Sequence, residues 1–321
     1  MANLDISEKR LPQDGRFNIK SRGQSVDIRL STMPVQYGES VVMRLLNQTS
    51  GVRELEYSGL PEHLLVRFRK QLRRPYGMIL VTGPTGSGKT TTLYSALSEL
   101  NQPSKKIITA EDPVEYRLPR INQVQVNSKI DLTFSKILRT FLRQDPDIIL
   151  IGEMRDQETV EIGLRAALTG HLVLSTLHTN DSIDSALRMM DMGAPGYLVA
   201  SAVRAVLAQR LVKKVCLECS GVDPLDEARK QWRGYGCQSC NLTGYRGRIG
   251  VFELLELDQP MMDALRANDA VGFSQKARQN PEYKPLLASA MELAMNGIIS
   301  LDEVMVLGEG DNAASHQPIL M

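Results

Sequence analysis

Gly83-Pro-Thr-Gly-Ser-Gly-Lys-Thr-Thr91 follows the apolar run Met78-Ile-Leu-Val-Thr82 and opens a helical stretch, Thr90–Leu100. The strand–glycine loop–helix order is the context that the phosphate-loop pattern G-x-x-x-x-G-K-[ST] requires, and Gly83, Gly88, Lys89 and Thr90 fill its fixed positions. Glycines let successive backbone N–H groups turn inward around phosphate oxygens, and the helix start adds the positive end of its dipole. The expected nucleotide-binding set is therefore Gly83, Pro84, Thr85, Gly86, Ser87, Gly88, Lys89, Thr90 and Thr91. In such loops the lysine reaches the β- and γ-phosphates and the threonine hydroxyl holds Mg²⁺. The pattern predicts a nucleoside triphosphate site.

Outward from the loop, short apolar strands alternate with amphipathic helices. Strands are expected at Met78–Thr82, Lys106–Ala110, Gln123–Val126, Asp147–Ile151 and His171–Thr176. Helices are expected at Thr90–Leu100, Thr133–Arg143, Gln157–Leu168, Ser182–Met190 and Gly196–Gln209. This alternation predicts an α/β core with a mainly parallel sheet covered on both faces, its ligand at the carboxyl edge of the strands. Before it, Gly23–Leu30 alternates as a strand, Glu39–Leu46 reads as a second, and a polar connector over 51–75 carries a helix from Pro61 to Leu72. No internal repeat is visible.

Composition sets the class. The 321 residues are 42% hydrophobic and 23% charged with a net charge of +1, and no apolar run approaches the roughly 20 residues of a membrane-spanning helix. The start, Met1-Ala-Asn-Leu-Asp-Ile-Ser-Glu-Lys-Arg10, does not resemble a secretory leader, so a cytoplasmic protein is expected. Basic residues are in excess over residues 1–74 and acidic ones beyond residue 213. Aromatics are 5% and no basic stretch is interleaved with them, which argues against a base-stacking nucleic-acid channel.

Three further stretches carry chemistry at the expected sheet edge. Glu153, after the strand Ile148–Ile151, stands where a carboxylate orders Mg²⁺ beside a phosphate loop. Glu111, Asp112 and Glu115 crowd a strand exit, and one of them is expected to orient the attacking water. His171 and His178 bracket another strand. His178 is the candidate γ-phosphate sensor, and His171 a tie between strands. Farther on, Cys216-Leu-Glu-Cys219 and Cys237-Gln-Ser-Cys240 form two C-x₂-C knuckles separated by 17 residues. Two such pairs complete a tetrahedral Zn²⁺ shell, with disulfides as the alternative in an oxidising compartment.

In order and spacing, Gly83–Thr91, Glu111–Tyr116, Gly152–Asp156 and Gly170–His178 resemble the Walker A, Asp box, Walker B and His box of the type II/type IV secretion and pilus ATPase superfamily. Leu11–Arg16, Val26–Arg29 and Tyr37–Arg44 resemble that family's second N-terminal domain. The resemblance implies a RecA-like core and a homo-hexamer that hydrolyses ATP with Mg²⁺. It gives Glu115 the catalytic role with Glu111 beside it, and points to Arg29 and Arg44 as nucleotide-reaching arginines. The tetracysteine module resembles that of assembly members, so the implied function is powering type IV pilus assembly, for instance of a mannose-sensitive-haemagglutinin type pilus. Type II secretion is the alternative within the class, and a truncated, non-catalytic interaction subunit the alternative outside it.

The implied partner is an inner-membrane platform protein, with no nucleic acid and only peripheral membrane association. The implied organisation is a partial PAS-like second N-terminal domain over 1–55, a linker over 56–75, the ATPase core over 76–212, a zinc insertion over 213–250 and a helical region over 251–321. The family's first N-terminal domain is expected to be missing.

Overall fold

The computed structural model describes residues 1–2, 4–21, 24–47, 54–222 and 232–314. Three strands, β1 (Gln13–Ser21), β2 (Gln24–Val35) and β3 (Gly38–Asn47), form an antiparallel meander. Then come α1 (Glu62–Leu72), β4 (Gly77–Thr82), α2 (Lys89–Leu100), β5 (Ile107–Glu111) and β6 (Asn122–Gln125). They are followed by α3 (Phe134–Phe141), β7 (Ile148–Ile151), α4 (Gln157–Leu168), β8 (Leu172–Leu177), α5 (Ser182–Asp191) and α6 (Gly196–Ala202). The long strands β9 (Val203–Val215) and β12 (Tyr245–Glu256) enclose the short pair β10 (Ser220–Val222) and β11 (Trp232–Gly234). Helices α7 (Gln259–Arg266), α8 (Ala270–Gln279), α9 (Leu286–Met295) and α10 (Leu301–Ala314) close the chain.

Among the described residues the central sheet has seven strands in the order β12-β9-β4-β8-β7-β5-β6. All neighbours run parallel except β12, which is antiparallel to β9. Alternation along the strands divides the core between the two faces. Met78 and Leu80 of β4 join Ile149, Ile151 and Val173 under α3, α4 and α6, whereas Ile79 and Val81 join Leu150 and Leu174 under α1 and α2. Strands buried on both faces cannot alternate apolar with polar, which is why they read as continuous apolar runs.

Three boundaries differ from the sequence reading. The expected helix Gly196–Gln209 ends at Ala202, and the chain enters β9 there. Val203, Ala205, Val206, Leu207 and Ala208 have no exposed surface, because β9 fills the place between β4 and β12. After Gly196 the stretch to Gln209 contains no glycine or proline, so nothing local marks the switch, and sheet pairing overrides helix propensity. Residues 56–75 are more than a linker. Leu64, Leu65, Phe68 and Leu72 make α1 one wall of the core. Finally, β9 and β12 run through the 212/213 and 250/251 divisions, so the cysteines form the tip of a β-ribbon. Strand β1 had no counterpart in the sequence reading. Gly23, residues 51–53, part of the cysteine module (223–231) and the chain end 315–321 lie outside the described residues.

Two contacts fix the ends of this architecture. Buried Glu253 of β12 accepts the backbone N–H of Ser182 and that of Leu286, each at 2.8 Å, and so seats the starts of both α5 and α9. Burial pushes its carboxyl pKa above the usual carboxylate range. At the start of α6, a Cβ on Gly196 would lie 2.1 Å from the Leu265 carbonyl oxygen of α7. Because backbone cannot yield as a side chain does, Gly196→Ala is expected to lower the free energy of unfolding by about 2 kcal/mol or more. An unchanged urea midpoint would contradict this packing.

Candidate nucleotide site

The phosphate loop leaves the carboxyl end of β4 and enters α2. Gly83, Gly86 and Gly88 all have positive φ, at 146°, 81° and 92°. Gly83 is also sterically confined: a Cβ there would lie 2.4 Å from the backbone oxygen of Gln209. Only glycine satisfies both demands. The Lys89 ammonium donates to the carbonyls of Gly83 (2.7 Å) and Pro84 (3.0 Å), folded back over its own loop.

Beside the loop opens a cleft of about 680 Å³ whose lining includes Lys89, Glu111, Glu115, Glu153, His178 and Arg44. It therefore gathers residues from four strand ends and from the N-terminal meander. Glu153 follows β7, pairs with Arg155 and lies 3.4 Å from Nε2 of His178. The ends of β7 and β8 are tied by the Ser175 hydroxyl donating to Ile151 O (2.8 Å) and the Thr176 hydroxyl donating to Gly152 O (2.6 Å). His171 is not part of the cleft lining. Its Nδ1 lies 3.0 Å from the Ala166 carbonyl, at the opposite end of β8.

The two glutamates of the acidic loop have different surroundings. Glu111, 4% exposed, accepts from the Tyr94 hydroxyl, the Thr109 hydroxyl and Gln123 Nε2, so its oxygens are committed to two buried hydroxyls and a half-buried amide. Burial, followed by the Glu111 charge, raises the Tyr94 phenol well above its ordinary pKa and pushes Tyr116 up to about 12. Glu115 is half-buried at the cleft and pairs with Arg29 at 2.7 Å; Arg29 also donates to Val114 O (3.2 Å). Arg29 thus bridges the meander and the acidic loop but is not among the residues lining the cleft, whereas Arg44 lines it.

Arg155, Tyr94, Leu211 and Arg248 also line the cleft and were not singled out in the sequence. Arg155 stands two residues after Glu153, a local cue. Arg248 and Leu211 arrive on the β9/β12 ribbon, and no local pattern announces them. A glycine-rich loop at a helix start, a lysine and several carboxylates around one cleft make a site suited to a polyphosphate accompanied by a divalent cation.

At the ribbon tip, Sγ atoms lie 3.8 Å apart for Cys216 and Cys237, 3.9 Å for Cys219 and Cys240, and 3.7 Å for Cys237 and Cys240. All four ligand atoms fall within 4.8 Å of one another. A disulfide requires about 2.05 Å, whereas a tetrahedral shell with Zn–S near 2.3 Å separates its sulfurs by about 3.8 Å. Backbone N–H groups of Cys237 (3.1 Å) and Gly244 (3.3 Å) donate to Cys240 Sγ and draw its pKa down to about 6, towards thiolate. The residues fit a four-thiolate metal.

Residues 1–306 match the family described as Type II/IV secretion system protein. The chain belongs to that family. Relatives include Type II secretion system protein HxcR of Pseudomonas aeruginosa, 47% identical over 95% of this chain and 64% of its own length. The Type IV pilus assembly ATPase PilB of Thermus thermophilus is 44% identical over 95% of this chain and 36% of its own length. The chain thus spans less than two thirds of these relatives. Among solved structures, the pilus retraction motor PilT with bound ADP superposes with a TM-score of 0.71 at 30% identity, covering 93% of this chain and 78% of that one. The Legionella pneumophila ATPase DotB, at 23% identity and a TM-score of 0.71, shares the fold. The family and the α/β fold class read from the sequence are both borne out.

Burial draws the Lys89 pKa down to about 8, helped by Arg210 and opposed by Glu153. Lys89 is therefore charged below pH 8 and progressively neutral above it, so the loop loses its cation in that direction. Competitive acetylation across pH should give Lys89 a midpoint near 8, and a midpoint at the ordinary lysine value of about 10.4 would contradict the burial.

Proposed function

We propose that this chain binds Mg·ATP at the Gly83–Thr91 loop and hydrolyses it as a subunit of a hexameric motor at the cytoplasmic face of the inner membrane, acting on a platform protein. The observation that carries this reading is the meeting of the loop, Lys89, Glu153, Glu115 and Arg44 around one cleft. Membership of a family whose relatives are named as secretion proteins and a pilus assembly ATPase supports it. No helix among the described residues is long and apolar enough to cross a membrane, which is compatible with association through a partner. Relatives named for type II secretion and for pilus assembly stand at 47% and 44% identity, and the proposed motor role holds for either machine.

In this reading Lys89 releases the Gly83 and Pro84 carbonyls and turns to the β- and γ-phosphates. Thr90 and Glu153 would hold Mg²⁺, which would supply neutralisation of charge on the phosphates. Glu111, saturated by its donors, keeps the acidic loop in place. Glu115 orients the attacking water, because it faces the cleft and its one ion pair among the described residues, with Arg29, is exchangeable. When Arg29 leaves Glu115 for the γ-phosphate, the carboxylate becomes free at the moment the arginine is engaged. Arg44 adds a second cation, and His178 senses the γ-phosphate from its place beside Glu153.

Lys89→Ala should abolish turnover. Glu115→Gln should stop single-turnover hydrolysis while leaving Mg·ATP binding within a few-fold, and Arg29→Ala should slow it by about 10³. A Glu111→Gln variant that is dead beside an active Glu115→Gln would reverse the two roles, and full activity in Lys89→Ala would refute the site.

We further propose that Cys216, Cys219, Cys237 and Cys240 bind one structural Zn²⁺. A four-thiolate shell leaves no position for water, so the ion holds the ribbon tip and takes no part in hydrolysis. The tip rests on the α9–α10 turn through Val215 N–H donating to Ile298 O (3.0 Å), the Tyr245 and Ser300 hydroxyls 2.9 Å apart, and Trp232 over Gly297. Elemental analysis should give one zinc per chain, and its removal by a chelator should shift the emission of Trp232, the protein's one tryptophan. Purified protein containing no metal, or two disulfides, would overturn this assignment.

A further inference from the structure

The phosphate loop is held from a direction that its own sequence does not indicate. Gln209 of β9 is 2% exposed and spends both ends of its side-chain amide on the loop and the helix behind it. Its Nε2 donates to the Ser87 carbonyl at 2.7 Å, and its Oε1 accepts from the Thr92 hydroxyl at 2.9 Å. Ser87 and Thr92 are themselves 3% and 2% exposed, so the contact is dry. The backbone of the same residue presses on the loop start, where its carbonyl excludes a Cβ at Gly83, and its Nε2 lies 3.1 Å from where a Cβ on Gly88 would stand. One residue therefore touches the beginning, the end and the following helical turn of the loop.

We propose that Gln209 is a positioning residue that holds the phosphate loop in its binding shape before any nucleotide arrives. This rests on the reading of the loop as the Mg·ATP site. A carbonyl at Ser87 that is tied outward to an amide leaves the loop's N–H groups turned towards the cleft. Without the amide, both Ser87 O and the Thr92 hydroxyl lose their recorded side-chain partner in a dry place, and the loop relieves that cost by moving towards water. Binding must then re-form the loop, which lowers apparent affinity by the fraction of chains already in the competent shape. Once Mg·ATP is bound the loop is restored, so the chemical step is little affected.

The test compares wild type with Gln209→Leu and Gln209→Glu. The glutamate keeps the acceptor for Thr92 but replaces the donor to Ser87 with a carboxylate facing a carbonyl. In nucleotide-free protein, amide hydrogen exchange across 84–92 should quicken at least tenfold in both variants, with distant strands unchanged. Calorimetric titration with Mg·ATP should show Kd raised about tenfold in Gln209→Leu and more in Gln209→Glu. In turnover, KM should rise while kcat stays within about twofold. Unchanged loop exchange and affinity in both variants, against a wild type that binds, would overturn the role of Gln209 alone. Equal loss of kcat and stability with no change in KM would reduce it to a packing residue. A wild type without affinity for Mg·ATP would remove the nucleotide reading and this role with it.

Discussion

β4 is hydrogen-bonded to β8 on one side and β9 on the other, with all six of its residues buried. Every part of the candidate site is referred to that strand. Its carboxyl end emits the phosphate loop, β8 ends beside it with Thr176 near its end and His178 just after it, and β7 one strand further leads to Glu153. β9 supplies the loop's other wall. Parallel pairing places all these carboxyl ends on one edge, and that geometry turns residues scattered over more than a hundred positions into one cleft. The same pairing requires apolar side chains on both faces, so the sequence of the centre leaves little freedom for chemistry except at the strand ends.

Charge around the cleft is arranged in exchangeable pairs. Lys89 rests on two loop carbonyls, Arg29 on Glu115, and Arg155 on Glu153. Each cation is held by a partner weaker than, or comparable to, a phosphate oxygen, and none is locked in a buried network. Glu111 is the contrast: exchange there would leave the buried Tyr94 and Thr109 hydroxyls without their acceptor. The division between exchangeable and committed acids, more than proximity alone, separates Glu115 from Glu111.

Much of this was legible in the residues. The loop Gly83–Thr91 carries its own geometry in its glycines, and the helix Gln157–Leu168, whose preceding Asp156 side chain accepts the Thr159 N–H, has its start and its period written locally, so its bounds agree with the structure. The cysteine spacing forecast a cluster, and the sulfur separations fit one. What failed to show was non-local. β9 reads as the continuation of α6 because Ala and Leu favour a helix and no breaker intervenes, and only the vacancy beside β4 decides otherwise. For the same reason Arg248, Leu211 and Gln209 carried no signal: their importance comes from lying across the sheet from a loop far away in the chain. The difference between Glu111 and Glu115 depends on Tyr94 and Arg29, which sequence distance also hides.

The placement of Gln209 has a consequence for how the chain is made. Ser87 and Gln209 are 122 residues apart, and at ribosomal speeds of about 5–20 residues per second the second emerges roughly 6–24 s after the first. Through that interval the glycine-rich segment, its lysine and its helix are outside the ribosome without the strand that closes over them. β4 meanwhile lacks its neighbour and offers an open parallel edge, the kind of surface on which nascent chains associate wrongly. β9 pairs that edge, and synthesis must run on through the cysteine tip to β12 before β9 in turn is paired on its outer side, so nearly the whole core is translated before the sheet around the site is complete.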